Sequence, residues 1–356
     1  MRNYLQVIIL TFLLLPNDSC LSQKAAQSFT NPLLPSGADP WSIYKNGYYY
    51  YTHTLGNRLV IWKTKNLAQL KNAENKTVFH PPPGLPYSKQ LWAPEIHYIN
   101  NRWYIYFAAD DGRNENHRLY LLENKSADPM EGEWTFKGQV SDSSDKWAID
   151  GSIFEHKGQL YMVWSGWEGD TNGRQDIYIS KMKNPWTLEG KRVRISSPDL
   201  EWERHGDLND PDNPPHVDVN EGPQFLKNKD RVFLIYSASG CWTEYYALGM
   251  LSAHVNSNLL DSSSWKKNKE PVFKQSITNG VYAPGHNSFF KSPDGTEDWI
   301  LYHANSQPGQ GCGSKRSPRA QRFSWNKDGI PVFGEPVKTG VLIPIPSEGK
   351  RKQRSK

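Results

Sequence analysis

Cysteine is scarce in this chain: 356 residues carry three, Cys20, Cys241 and Cys312. No Cys-x-x-Cys pair occurs, so the usual zinc and dithiol redox patterns are missing. Long hydrophobic runs are lacking too. Val7 to Leu15, interrupted by Thr11, is too short to span a bilayer, and no other segment could cross a membrane. Long amphipathic helical stretches are absent, which argues against an all-α architecture. The formal net charge of +5 is not a property of the main body. Lys350 to Lys356 carry five basic side chains and no acid, so the rest of the chain sums to zero. A balanced body gives no reason to expect a nucleic-acid partner.

What is abundant is aromatic and turn-forming. The chain has 14 Trp, 18 Tyr, 27 Gly and 25 Pro. Such aromatics suit pleated strands and sugar-binding surfaces alike, while Gly and Pro make the turns of an all-β chain. Residues 1–22 read as a secretory signal peptide, with Arg2 as its positive start, Pro16 ending the apolar core, and Cys20 and Ser22 as a small-x-small cleavage site. Secretion or periplasmic export follows. Lipid anchoring at Cys20 is the weaker alternative, because Pro16-Asn17-Asp18-Ser19 is a poor lipobox. Removal of Cys20 leaves Cys241 and Cys312 as an even pair in an oxidising compartment, in loops of adjacent repeats, and a disulfide between them is expected.

A pattern recurs five times: Ala38-Asp39-Pro40-Trp41, Ala93-Pro94-Glu95-Ile96, Ile149-Asp150-Gly151-Ser152, Asn220-Glu221-Gly222-Pro223 and Gly285-His286-Asn287-Ser288. Each leads into an apolar run, a polar turn and a second aromatic run. Asp39, Glu95, Asp150, Glu221 and Asn287 stand 56, 55, 71 and 66 residues apart. Repeats of that length made of short strands predict an all-β, five-bladed β-propeller with its active site in the central channel. The expected organisation is a signal peptide over 1–22, a linker over 23–30, the propeller over 31–345 and a disordered basic tail over 346–356. Residues 199–219 read as a long loop over the channel mouth, and 266–279 as a similar loop.

Carboxylates at the starts of inner strands converge, and convergent carboxylates suit glycoside hydrolysis. One acid must protonate the leaving oxygen while a second carboxylate works on the opposite face of the sugar. Asp39, Asp150 and Glu221 are the candidates. Singly, Asp-Pro and Asp-Gly are common turn formers. Three acids at equivalent places in a repeat are harder to assign to turns. Trp92 is a candidate platform for the reactive sugar, or else a core Trp between blades. Trp41, Trp167 and Trp242 are candidate outer subsites.

Taken together and in this order, the five motifs resemble glycoside hydrolase family 43, from about Asn31 to Gly340. The resemblance implies a five-bladed propeller and an inverting mechanism, with Asp39 as general base, Asp150 as pKa modulator and Glu221 as general acid. It implies a substrate contact from Arg316 or Arg319, which the sequence does not separate. It also places His286 beside a channel calcium, through water, with no organic cofactor. Glu95 stands where many members carry Asp. Ser237-Ala238-Ser239-Gly240-Cys241-Trp242-Thr243 and Gly309-Gln310-Gly311-Cys312-Gly313 resemble exo-acting α-L-arabinofuranosidases. The implied substrate is a plant cell-wall arabinan or arabino-oligosaccharide, and the implied state a monomer. A β-xylosidase, an endo-arabinanase, an exo-β-galactosidase or a non-catalytic carbohydrate-binding propeller are the alternatives. In the first repeat Ala38-Asp39-Pro40 stands in place of the Asn-Asp-Pro first-blade motif of related fructoside hydrolases.

Overall fold

Turn chemistry sets the hairpins. Asn46 and Gly47 take φ of 53° and 83° and join Trp41–Lys45 to Tyr48–Thr52. Asn100 and Asn101 (49° and 61°) and Lys157 and Gly158 (52° and 75°) do the same in the next two repeats. Two consecutive left-handed residues match the twist of the flanking strands, which is why Asn and Gly occupy them. The computed structural model describes residues 28–211 and 213–349. The signal peptide read at 1–22, with Cys20, and the basic run 350–356 lie outside the described residues.

The described chain is mostly β. Five antiparallel meanders follow one another, over residues 41–79, 89–140, 148–196, 218–267 and 282–332, each of four strands. The third and fourth are joined into one larger sheet by a two-residue parallel pairing, Arg174 with Asp218 and Gln175 with Val219. The first strands contact one another in order, and that of the fifth meander returns to that of the first.

Middle strands are buried on both faces, and the period of two decides which neighbour each side chain meets. In Tyr48–Thr52, Tyr50 packs toward the second meander with Ile105 and Leu122. Its neighbours Tyr49 and Tyr51 pack toward the fifth, with Trp299 and Leu301. Phe233 and Ile235 likewise meet Ile300 and Tyr302 of the fifth meander, while Leu234 and Tyr236 meet Val163 and Ile177 of the third. Tyr104 and Leu119 of the second pack on Ile153 and Met162 of the third. The core is thus five wedges between neighbouring sheets, and the first strands lie inside it.

Three boundaries differ from the sequence reading. Ser28 and Phe29, expected in a linker, pair with Pro344 and Ile343 and join the two ends of the described chain. Residues 346–349, expected in the disordered tail, are docked. The Ser347 backbone N–H donates to Glu297 Oε2 at 3.0 Å, and its hydroxyl donates to Asp294 Oδ2. In the expected loop 266–279, Lys266 and Lys267 add a short strand against Ser252 and Leu251. The segment 199–219 is pinned by the buried Glu203. That carboxylate accepts from the Tyr236 hydroxyl at 2.7 Å and the Asn220 amide at 3.2 Å, and pairs with Lys267.

Candidate active site

The inner strands break register where the acids stand. Pairing shifts between Ile149 and Ser152, between Glu221 and Gln224, and between Trp92 and Glu95. Asp39, Asp150, Gly222 and His286 take φ of 57°, 57°, 56° and 46°. A bulge frees a residue from the ladder and re-aims its side chain. Asp tolerates the left-handed region better than most residues, and Gly adopts it freely. At Gly222 the reason is also spatial, since an added Cβ would stand 3.3 Å from His286 Nδ1.

The freed side chains meet. A cavity of about 860 Å³ is lined by Asp39, Asp150 and Glu221 together with Trp92, His286 and Arg316. Its rim includes Trp242, the Cys241–Cys312 disulfide, and Leu208, Asp210 and Asn213 of the 199–219 segment. Asp39 Oδ2 accepts from the Thr54 hydroxyl at 2.6 Å, and Oδ1 accepts from Arg316 Nη1 at 3.3 Å. His286 Nδ1 lies 3.4 Å from Asp39 Oδ1 and 3.9 Å from Asp150 Oδ2. Asp150 Oδ2 accepts the Gly222 backbone N–H at 2.9 Å, and Glu221 Oε1 accepts the Tyr246 hydroxyl at 2.7 Å.

Their electrostatic settings differ. Burial alone would raise Asp39, but His286 and Arg316 outweigh it and hold this carboxyl well below its ordinary range. Burial raises Asp150, and the neighbouring Glu221 and Asp39 charges add to the rise against His286. Glu221 is raised as well, again first by burial, with the Tyr246 hydrogen bond acting the other way. One carboxylate is therefore held charged while the adjacent pair retains a proton. That is the division of roles an acid and a base require. Burial disfavours a charged His286, but Asp39, Asp150 and Glu221 outweigh it and raise its pKa.

Arg316 and Arg319 separate here. Arg319 does not line the cavity. It is fully buried, and its guanidinium donates to Thr339 Oγ1 at 2.9 Å and Ser306 Oγ at 2.8 Å. The expectation of a substrate contact passes to Arg316 alone. Trp41 and Trp167 are corrected too: Trp41 Nε1 donates to the Ile96 carbonyl, and Trp167 is buried against Trp147. Glu95 does not line the cavity either. It is buried and bonded to His97 and Gln224.

Thr54, Tyr246 and His303 were not foreseen. His303 Nδ1 accepts the Asp39 backbone N–H at 3.1 Å, and burial pushes this imidazole down to about 4, so it holds Asp39 as a neutral acceptor. One signal was available. Opposite the site, the second strands place Ser165 across from Ile149 and Ser237 across from Glu221, whereas the fifth places His303 across from Gly285.

Among the described residues, the ligand atoms of Asp150, Glu221 and His286 lie within 4.8 Å of one another. Asn287, next in the strand, is buried with both amide atoms unpartnered. Calcium prefers a shell of oxygens. A single imidazole and few free oxygens fit such an ion only with water completing the shell.

Comparison with known proteins bears on this geometry. The family model described as glycosyl hydrolases family 43 matches residues 29–331. An extracellular exo-α-(1→5)-L-arabinofuranosidase of Streptomyces avermitilis is 37% identical over 335 residues, covering 92% of this chain and 67% of the relative. The chain thus spans about two thirds of that relative's length. An extracellular exo-α-(1→5)-L-arabinofuranosidase of Streptomyces chartreusis is 36% identical, covering 78% of this chain and 82% of the relative. The crystal structure of an α-L-arabinofuranosidase from Lactobacillus brevis superposes with a TM-score of 0.80 at 37% identity, covering 88% of this chain and 98% of that one.

Proposed function

The chain belongs to glycosyl hydrolases family 43, and from that premise we propose that it is an exported glycosidase releasing terminal α-L-arabinofuranosyl residues from arabinan or arabino-oligosaccharides. The relatives whose names carry this activity, two of them called extracellular, support the substrate and the export. The five meanders, with first strands in contact around a ring, are read as five blades about a central channel. Residues 31–345 are read as one catalytic domain. Among the described residues no helix is long and apolar enough to cross a membrane.

The observation that carries the proposal is the opposed setting of three acids in one cavity. Asp39, held charged, takes a proton from a water whose oxygen forms the new bond to the anomeric carbon. The bond from that carbon to the departing sugar oxygen breaks, and its electron pair takes the proton that Glu221 delivers. Asp150, charge-coupled to Glu221 and tied to the Gly222 N–H, keeps that proton available near neutrality and fixes the strand. Attack opposite to departure inverts the configuration. Trp92 supplies an aromatic face for the furanose, and Arg316 orients Asp39 at the edge of the sugar. A calcium ion, if bound, would be held by His286 through its imidazole and by channel oxygens through water. It would supply positive charge beside the carboxylates.

Incubation with linear arabinan and a panel of nitrophenyl glycosides tests the substrate. Free arabinose as the first product, with no intermediate oligosaccharides, is expected. Release of xylose or galactose in preference, or early accumulation of oligosaccharides, would reassign it.

A further inference from the structure

One buried titratable pair outside the three acids has no part in the reaction as derived so far. Asp110 and His117 are both fully buried, with Asp110 Oδ2 3.0 Å from His117 Nδ1. Asp110 ends the strand Arg102–Asp110, and His117 directly precedes the strand Arg118–Asn124. The excursion between them carries Gly112, Arg113, Asn114 and Glu115 of the cavity wall.

His117 ties four parts of that wall together. Its ring stacks on Trp92 with centroids 4.0 Å apart and planes 26° from parallel. Nε2 lies 3.3 Å from the Gln90 carbonyl, and Nδ1 lies 3.2 Å from the Asn114 carbonyl. Its own carbonyl accepts the Ala148 N–H at 3.3 Å, two residues before Asp150.

The two ring nitrogens face three oxygens, the Gln90 and Asn114 carbonyls and Asp110 Oδ2. Burial pushes this imidazole down to about 4, so near neutrality it is uncharged and carries one ring hydrogen. An apolar side chain could fill the same space behind Trp92. It could not bind the Gln90 carbonyl at Nε2, whereas the Asn114 carbonyl also accepts the His117 backbone N–H at 3.1 Å and Trp147 Nε1 at 2.8 Å.

We infer that Asp110 and His117 are a positioning pair for sugar binding: they fix the Trp92 face and the Gln90–Asn114 rim in register with the strand bearing Asp150. This rests on the reading of Trp92 as the sugar-stacking face. Neither residue touches the reacting atoms.

The test measures kcat and KM on arabinotriose and the inhibition constant of L-arabinose for His117→Gln, Asp110→Asn, Trp92→Ala and the His117→Gln/Trp92→Ala double variant, with thermal melting to verify folding. His117→Gln and Asp110→Asn should each raise KM and the inhibition constant about tenfold, with kcat changed less than about threefold. In the Trp92→Ala background, adding His117→Gln should change either constant less than about twofold, because the pair acts through the ring already removed. Folded single variants with unaltered constants would overturn the proposal, as would effects that multiply in the double variant. If His117→Gln does not fold, Asp110→Asn and His117→Phe, which keeps the stacked ring but loses the ring-nitrogen contacts, decide it by the same constants. A Trp92→Ala enzyme with unaltered constants removes the stacking reading itself. An effect of Trp92→Ala that the pair variants fail to reproduce overturns only the positioning role.

Discussion

At the scale of single residues, the chemistry turns on where protons sit. Asp39 is held low, so it stays charged through the acidic range. The Asp150–Glu221 pair is held high, so it keeps a proton toward neutrality. The rate should therefore fall at low pH only as Asp39 protonates, and fall on the alkaline side as the pair loses its proton. Asp39→Asn and Glu221→Gln should each lower kcat on arabinan about a thousand-fold. Glu221→Gln should lose less on a nitrophenyl arabinoside, whose leaving group needs little protonation. Asp150→Asn should move the alkaline limb of the pH–kcat/KM profile downward, because Glu221 no longer faces a competing charge. The same substitution has a thermodynamic signature. The raised Asp150 pKa means the folded chain binds more protons than the unfolded one above the ordinary carboxyl pKa, so stability declines as pH rises from there to the folded pKa. Asn keeps the acceptor for the Gly222 N–H. A melting temperature above wild type at pH 7, converging with it near pH 4, is the expected result, and equal curves at pH 7 would contradict it.

The acids were legible in the sequence because they recur at equivalent places in a repeat. Thr54 and Tyr246 were not, because they reach the site from segments that carry no shared motif; His303 left one trace, standing where Ser165 and Ser237 stand in other repeats. Arg316 and Arg319 show the same limit. They are three positions apart, and only the pairing of Ser317–Trp325 with Asp298–Asn305 sends one to the cavity and the other into the core.

At the scale of elements, the bulged inner strand is the working part. The sequence places its apolar second half well, since Ile96–Ile99 and Ser288–Lys291 keep a clean pattern. It misses the first half. Lys89–Ile99 and Tyr282–Lys291 begin several residues earlier, where Pro, Gly and left-handed residues interrupt the alternation that marks a strand. Those interruptions are what aim the site. Gly285 makes the point: a Cβ there would stand 2.1 Å from the Tyr246 ring. Gly285→Ala should displace Tyr246 from Glu221 and lower kcat/KM more than tenfold, a loss on the scale of about 1.4 kcal/mol or more. Tyr246→Phe should instead raise the alkaline limb, because Glu221 loses a donor to its charged form. A pH–rate profile of the two variants separates displacement from loss of the bond.

At the scale of the whole molecule, closure holds the ring. Ser28 and Phe29 pair with Pro344 and Ile343, and Asn31 reaches the fifth meander, its amide donating to the Ala320 carbonyl at 3.0 Å. The Cys241–Cys312 disulfide ties the fourth and fifth meanders across 71 residues at the cavity rim. Chain entropy makes such a cross-link worth about 4 kcal/mol. Replacing both cysteines by Ser should lower the melting temperature and raise KM, leaving the pH profile in place. An unchanged melting temperature would show that the ring closes without it. The disulfide was readable from cysteine arithmetic and the ring from repeat spacing. The docking of residues 28–29 and 347 was not, because two-residue strands and single anchors leave no periodic trace.

All three scales converge on one event, the delivery of a water from the Asp39 side to an anomeric carbon while Glu221 protonates the opposite face. Proton NMR of the first-formed arabinose, recorded before mutarotation, observes it directly. The β anomer released from an α-linked arabinan is the predicted signal. An initial α anomer would contradict single-displacement attack by water and the roles given to Asp39 and Glu221.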